Sequence, residues 1–171
     1  MENNALKPGD FEQDSIRRET DRIQRFFSRP FFLSLTIGFP FCLYKILFGV
    51  MAVRVGSDAA NTLLESFGWI IVIWAGIDLV MNLGRAFLDL LHRQAGFEYC
   101  TIAQAGRIFH RPMSFLALDT MVSFVIICMM LWSGWIAYLT SPERYLWYFA
   151  TTLNLVSLSL VSLYNETRMG R

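Results

Sequence analysis

The sequence predicts an all-α, polytopic membrane protein: a four-transmembrane-helix bundle with an N-terminal and a central cytoplasmic surface helix. Of the 171 residues, 54% are hydrophobic and 17% are charged, and the mean hydropathy is +0.40. Soluble domains usually carry about 25% charged residues, and here most charges lie outside long apolar runs. Four of these runs are long enough to cross a hydrocarbon core of about 30 Å.

Residues 1–29 are predicted to form a cytoplasmic amphipathic helix on the surface of the membrane or of the protein itself. Asp14 precedes Arg18, and Asp21 precedes Arg25, by four residues, a spacing that stabilises exposed helices. The segment contains six basic and six acidic residues, whereas a helix that binds anionic lipid strongly is net basic. The alternative is a helix that docks onto a partner protein.

The transmembrane domain is predicted over residues 30–164. Its four spans are expected at about 31–53, 63–91, 113–139 and 145–164. The first span follows Ser28, a good N-cap, and contains Pro40, which is expected to kink the helix. The second is the longest apolar helix, and at a rise of about 1.5 Å per residue its last two turns must leave the hydrocarbon region.

The central cytoplasmic loop, residues 93–112, is predicted to carry a short helix at the membrane interface. Thr101 and Gln104 have the spacing of a capping box, in which Thr101 would cap a helix over 102–109. No nucleic-acid partner is expected, because the loop lacks the second soluble helix of a DNA-reading helix-turn-helix.

The distribution of lysine and arginine predicts that both termini, the central loop and the tail at 165–171 are cytoplasmic. Twelve basic residues lie on the side assigned to the cytoplasm, whereas the other two links carry one each, Arg54 and Arg144. The expected location is therefore the cell or inner membrane, with membrane lipid as a partner.

One face of the second span carries polar residues that lipid cannot satisfy. They follow one another at spacings of four, three and four, which places them on one side of a helix: Asp78, Asn82, Arg85 and Asp89. Such a face must be buried against protein. Small residues on the same helix are predicted to allow close helix packing: Gly68, Ala75, Gly76 and Gly84.

Lys45, well inside the first span, is the expected partner of Asp78. The first two spans run in opposite directions, and each side chain leans towards the N-terminus of its own helix. Lys45 and Asp78 therefore lean towards each other, and we expect an ion pair. Asn82 or Asn154, a polar residue of the fourth span, would be a further hydrogen-bond partner.

A second pair is expected between Arg85 and Asp119, which lies in the second turn of the third span. Asp89 follows Arg85 by four residues and competes for the same guanidinium. Ion pairs of this kind can hold membrane helices in register. Alternatively, ionisable groups at this depth can form an ion or proton path.

The residue inventory disfavours an enzyme, and no cofactor or metal is expected. The two histidines, His92 and His110, flank the central loop, so they offer no haem ligand inside the bundle. A metal site that uses both histidines is the alternative. The sequence contains no H-E-x-x-H or G-x-S-x-G motif, and its three cysteines form no C-x-x-C pair.

Two functions are compatible with these patterns. The first is a non-enzymatic integral membrane subunit or scaffold, which packs with itself or with other integral membrane proteins through small and polar helix faces. The second is a small transporter or channel for an ion, a proton or a solute, with Asp78, Asn82 and Lys45 as the polar path. Because four helices make a thin bundle, transport would require a homo-oligomer.

Overall fold

The computed structural model describes residues 30–93 and 96–169, which form helices joined by short turns and contain no strand. The all-α prediction is therefore confirmed for the described residues, and the surface helix predicted over 1–29 lies outside them. The elements in chain order are α1 (Pro30–Leu33), a π-helical turn (Ser34–Gly38), α2 (Phe39–Asp58), α3 (Thr62–Leu90), α4 (Thr101–Ile108), α5 (Pro112–Trp132), a 3-10 turn (Trp135–Tyr138) and α6 (Ser141–Met169).

Among the described residues, three helices are long and apolar enough to cross a membrane: Ser34–Asp58, Thr62–Leu90 and Pro112–Trp132. They correspond to the first three predicted spans. The fourth predicted span, 145–164, lies within α6, which is not one of these three helices. The chain is thus a helical protein with three candidate membrane spans, and a four-span bundle stays a prediction.

The first span is not a uniform α-helix. A π-helical turn, Ser34–Gly38, comes immediately before the helix that contains Pro40. Proline has no N–H to donate, and its ring clashes with the carbonyl four residues earlier. A wider π-helical turn accommodates such an interruption. A π-helical turn thus lies next to Pro40, and the kink expected there stays a prediction.

Three helices end with a non-glycine residue in the left-handed region, where φ is 51° at Ala60, 56° at His92 and 54° at His110. In each case the N–H of the next residue donates to the carbonyl five positions earlier, at 2.8, 2.9 and 3.0 Å. This is the hydrogen bond of a Schellman ending. Histidine enters the left-handed region more readily than most residues. The two histidines considered for a metal site thus have a structural role, because they end α3 and α4.

The third predicted span, 113–139, is longer than the helix that forms. Helix α5 ends at Trp132, and Gly134 then adopts a φ of 72°. Glycine enters this left-handed region without the steric penalty of a Cβ atom. A 3-10 turn follows, and α6 begins at Ser141, four residues before the predicted start of the fourth span.

Helix α2 lies at the centre of the described structure. In the most apolar 18-residue stretch of Ser34–Asp58, the span that contains α2, 67% of the residues are buried, compared with 22% for α3 and for α5. Helices α3, α5 and α6 all pack against α2. Phe41, Tyr44, Met130 and Trp147 belong to the apolar core at these contacts. A charged residue on the inner face of α2, such as Lys45, is therefore enclosed by protein.

Glycines bring α2 and α3 into close contact. A Cβ atom added to Gly68 would lie 2.6 Å from the backbone nitrogen of Val53, and one added to Gly49 would lie 2.9 Å from the Gly68 carbonyl oxygen. Ala75, also predicted as a packing residue, is fully buried. The described atoms leave open space around a Cβ added to Gly76.

Candidate functional site

A buried ammonium group joins three helices. Lys45 Nζ lies 3.2 Å from Asp78 Oδ2 on α3 and 2.5 Å from Asp119 Oδ1 on α5. The side chains of Lys45, Asp78 and Asp119 are 1%, 0% and 9% exposed. We refer to these three residues as the charged cluster. The Lys45–Asp78 contact predicted from the sequence is present, and the lysine serves two carboxylates.

Asp119 pairs with Lys45, so its predicted pairing with Arg85 is wrong. The Arg85 guanidinium lies 3.9 Å from the ring centroid of Tyr99. Its Nη1 donates to the Phe97 carbonyl at 2.7 Å and lies 3.4 Å from a carboxylate oxygen of Glu98. The central loop folds back onto α3 and supplies these partners, which the sequence-based pairing of helices did not consider.

Asp89 has a different partner from the one predicted. Its Oδ2 accepts a hydrogen bond from the backbone N–H of Phe31 at 3.1 Å. The N–H groups in the first turn of a helix lack helical partners, and a carboxylate is a favourable acceptor for them. Asp89 therefore caps α1 and ties the start of the first span to the last turn of α3.

Residues 96–101, which we call the returning segment, run back along α3 towards its middle. The Phe97 ring lies against Gly84, at 3.4 Å from a Cβ atom added there, and Thr101 reaches Asp78. At about 1.5 Å per residue, Asp78 lies about 18 Å from the C-terminal end of α3. The interfacial position of the short helix in this loop stays a prediction, and the returning segment extends along α3 to the charged cluster.

Thr101 closes the charged cluster on one side. Asp78 Oδ1 accepts hydrogen bonds from the backbone N–H of Thr101 at 2.7 Å and from its hydroxyl at 2.8 Å. The indole N–H of Trp74 donates to the Thr101 hydroxyl oxygen at 2.6 Å. With Lys45, Asp78 thus has three donors, so this buried carboxylate has its hydrogen-bond partners.

The capping box predicted at Thr101 is wrong in its register. Thr101 is the first residue of α4, and the N-cap is Cys100, whose Sγ accepts from the N–H of Ala103 at 3.4 Å. Gln104 does reach back, because its Oε1 accepts from the N–H of Glu98 at 2.9 Å. Burial raises the pKa of the Cys100 thiol to about 12, so this cysteine caps the helix as an unreactive thiol.

Replacing Thr101 by valine is expected to loosen the returning segment. Valine keeps the shape of threonine but removes the hydroxyl, so Asp78 loses one donor and the Trp74 N–H loses its acceptor. The cost of such a buried, unpaired group is about 1–3 kcal/mol. We expect faster amide hydrogen exchange over residues 97–103, measured by mass spectrometry.

Thr120→Val provides the control for this experiment. The Thr120 hydroxyl donates to the Leu116 carbonyl within its own helix, at 3.0 Å. Its loss therefore leaves the returning segment intact. Equal exchange over residues 97–103 in both variants would contradict the role assigned to Thr101.

The two asparagines expected as further partners of the Lys45–Asp78 pair lie on different helices. Asn82 is buried one turn beyond Asp78, and its Nδ2 donates to the Asp78 backbone carbonyl at 3.0 Å and to Cys42 Sγ at 3.6 Å. Asn154 is buried on α6. Within residues 30–93 and 96–169, no hydrogen bond joins either amide to Lys45.

Sequence reasoning missed two groups that complete the cluster. The Trp74 ring centroid lies 4.5 Å from Lys45 Nζ, within the range of a cation–π interaction. Trp74 precedes Asp78 by four residues, so helical spacing could have placed it on the polar face. Thr101 gives no comparable signal, since it meets Asp78 only through the path of the returning segment.

Another ion pair, also missed, joins α2 to α6 outside the charged cluster. The guanidinium of Arg54 on α2 lies 2.8 Å and 3.3 Å from the two carboxylate oxygens of Glu143 on α6. Arg54 also donates to the Tyr138 carbonyl at 3.3 Å. This two-pronged contact fixes the start of α6 against the end of α2.

The charged cluster suits binding of a proton or a simple cation better than covalent chemistry. Two carboxylates and one ammonium carry a net charge of −1 when all three groups are ionised. In the described part of the chain, no three side chains of His, Cys, Asp or Glu are grouped so that they could hold a metal ion.

Comparison with known protein families, with curated proteins and with solved structures finds no match for this chain.

Proposed function

We propose that this chain is a non-enzymatic integral membrane subunit or scaffold with four spans, in which the charged cluster fixes the helix packing. The supporting observation is the position of Lys45, which is buried on the central helix and bridges carboxylates on two other helices. Charged groups within a membrane are costly unless they are paired and face the protein interior. Their contacts hold α2, α3, α5 and the returning segment in a single register.

The outward faces of α3 and α5 supply the surface for lipid and for other membrane proteins. Large apolar side chains are exposed there, among them Ile73, Val80, Met121 and Val125. Gly76 lies among those of α3 and has open space beside it. Small residues let a second helix approach closely in a membrane. A second copy of the chain, or another integral membrane protein, is the proposed partner.

The state of the protein in lipid nanodiscs tests the scaffold proposal. We expect a complex larger than one chain, which persists on dilution and is detected by native mass spectrometry. Gly76→Leu is expected to weaken the complex without lowering the unfolding temperature, because the added side chain points into open space. A single chain under all lipid conditions would contradict the proposal.

Both termini and the central loop are proposed to be cytoplasmic, because of the twelve basic residues on that side. Single cysteines at the exposed positions Ser57 and Arg93, in a background without the three native cysteines, test this. A membrane-impermeant maleimide added to intact cells is expected to label position 57 and to leave position 93 unlabelled. The reverse labelling would invert the proposed orientation.

A small oligomeric transporter or channel is the second candidate function. It is favoured by the charge imbalance of the cluster, in which Asp78 and Asp119 share the single ammonium of Lys45. A bound proton or cation would balance this charge, and Asn82 would extend the polar path. Proteoliposomes test this function: the wild type would conduct protons or cations, and Asp119→Asn would abolish the flux. A wild-type protein without flux would leave only the scaffold proposal.

A further inference from the structure

Two buried side-chain oxygens beside the π-helical turn lack hydrogen-bond partners. Ser34 is 2% exposed and Asn82 is 3% exposed. Among the described residues, neither Ser34 Oγ nor Asn82 Oδ1 has a partner. Buried polar atoms in native proteins are almost always paired, with protein, water or an ion. Two such atoms at one helix contact therefore need a partner that the described side chains do not supply, either water or an ion.

Both oxygens belong to the contact between the first span and α3. Ser34, Gly38 and Cys42 follow one another at intervals of four and so share one side of the span. A Cβ atom on Gly38 would collide with Asn82 Oδ1, and Cys42 accepts from Asn82 Nδ2. This side of the span therefore faces Asn82, and Ser34 lies one turn away on the same side.

One backbone oxygen of the π-helical turn loses its usual α-helical donor. Pro40 has no N–H, so the Thr36 carbonyl cannot receive the usual helical hydrogen bond from it. The turn packs directly against α3. In membrane transport proteins, interrupted helices hold Na⁺ with carbonyl oxygens that are freed in this way.

The negative charge of the neighbouring charged cluster favours a positively charged ligand. When all three groups are ionised, its two carboxylates exceed its single ammonium by one negative charge, and this site is buried. Asn82 follows Asp78 by one helical turn, which places their Cβ atoms about 6 Å apart. A monovalent cation beside Asn82 would bring the net charge of the region to zero.

We propose that Ser34 Oγ, Asn82 Oδ1 and carbonyl oxygens of the π-helical turn bind Na⁺. Neutral and charged oxygen ligands are those that hard cations take. The site requires neither transport nor a partner protein, so it goes beyond the scaffold function and does not depend on it. Bound Na⁺ would fasten the π-helical turn to α3 and neutralise the surplus charge of the cluster.

Thermal unfolding of the full-length protein in detergent tests this site. The unfolding temperature is measured in NaCl, KCl and choline chloride at equal ionic strength. At saturating Na⁺ we expect the unfolding temperature to lie about 5 °C above its value in choline chloride. The reason is that a ligand which binds only the folded state stabilises that state. KCl is expected to give a smaller rise, because Asn82 Oδ1 packs closely on Gly38.

Ser34→Ala and Asn82→Leu are expected to abolish the Na⁺-dependent rise. Ser157→Ala is the control for the serine, because Ser157 is also buried but donates to the Leu153 carbonyl within α6, at 2.7 Å. The control is expected to keep the full rise. Equal unfolding temperatures of the wild type in NaCl and choline chloride would overturn the proposal without any variant. A rise that survives in Ser34→Ala and Asn82→Leu would also overturn it, because the cation would then bind elsewhere.

Discussion

Lys45→Met is expected to be the most destabilising substitution in the charged cluster. It removes the only ammonium that contacts Asp78 and Asp119 among the described residues, and it leaves two buried carboxylates without a counter-charge. Removing one partner of a buried ion pair costs about 3–5 kcal/mol. For a chain of this length, that corresponds to a fall of about 10 °C in the unfolding temperature. Thermal unfolding in detergent measures it.

The matched variant removes the carboxylate charges as well. In the triple variant Lys45→Met, Asp78→Asn, Asp119→Asn, no uncompensated charge is left in the interior. We therefore expect it to regain part of the stability that Lys45→Met loses, as coupled sites do. Losses that simply add, with the triple variant the least stable, would show that the three groups do not act as one cluster.

Gly68→Ala is expected to have the second-largest effect. The new methyl group would lie 2.6 Å from the Val53 nitrogen and 2.7 Å from the Gly49 carbonyl oxygen. Both are backbone atoms, so α2 and α3 must move apart to accommodate it. Overpacking of this kind costs about 1–3 kcal/mol, and we expect the upper end of this range in thermal unfolding.

Gly76→Ala on the same helix is the control for Gly68→Ala. No described atom lies within 4 Å of the Cβ atom that alanine adds at this position. Alanine also favours the helix over glycine by about 1 kcal/mol, so stability is expected to stay level or rise. Similar losses in both variants would mean that the close contact at Gly68 does not set the distance between α2 and α3.

The contact between Lys45 and Asp78 could be predicted because two simple rules determine it. Helical spacing places Asp78 on the polar face, and antiparallel neighbours bring that face to the first span. The partner of Asp119 could not be predicted in this way. It depends on the returning segment, which occupies the space beside Arg85, and a loop path has no periodicity from which it can be inferred.

The same distinction applies to the helices: their positions could be predicted from regular apolar patterns, whereas their ends could not. Apolar runs located the first three long helices, because burial and lipid both select for them. The predicted helix ends differ from the observed ones where the sequence signal for the end of a helix is weak. Ala60, His92 and His110 adopt the left-handed conformation that is usually marked by glycine. Among the described residues, Gly134 is the glycine that ends a helix in this conformation, and it falls inside the predicted third span.

The position of the lysine on the first span has a consequence for how the chain is made. Asp78 follows Lys45 by 33 residues and Asp119 follows it by 74. At about 5–20 residues per second, the ribosome needs roughly 4–15 s to deliver the second carboxylate. Until Asp78 is delivered, in a little under half of that time, the lysine has no counter-charge in a newly inserted helix, at a cost of about 3 kcal/mol. A chain truncated before Asp78 would therefore carry the lysine without a counter-charge, whereas one truncated between Asp78 and Asp119 would already contain a matched pair.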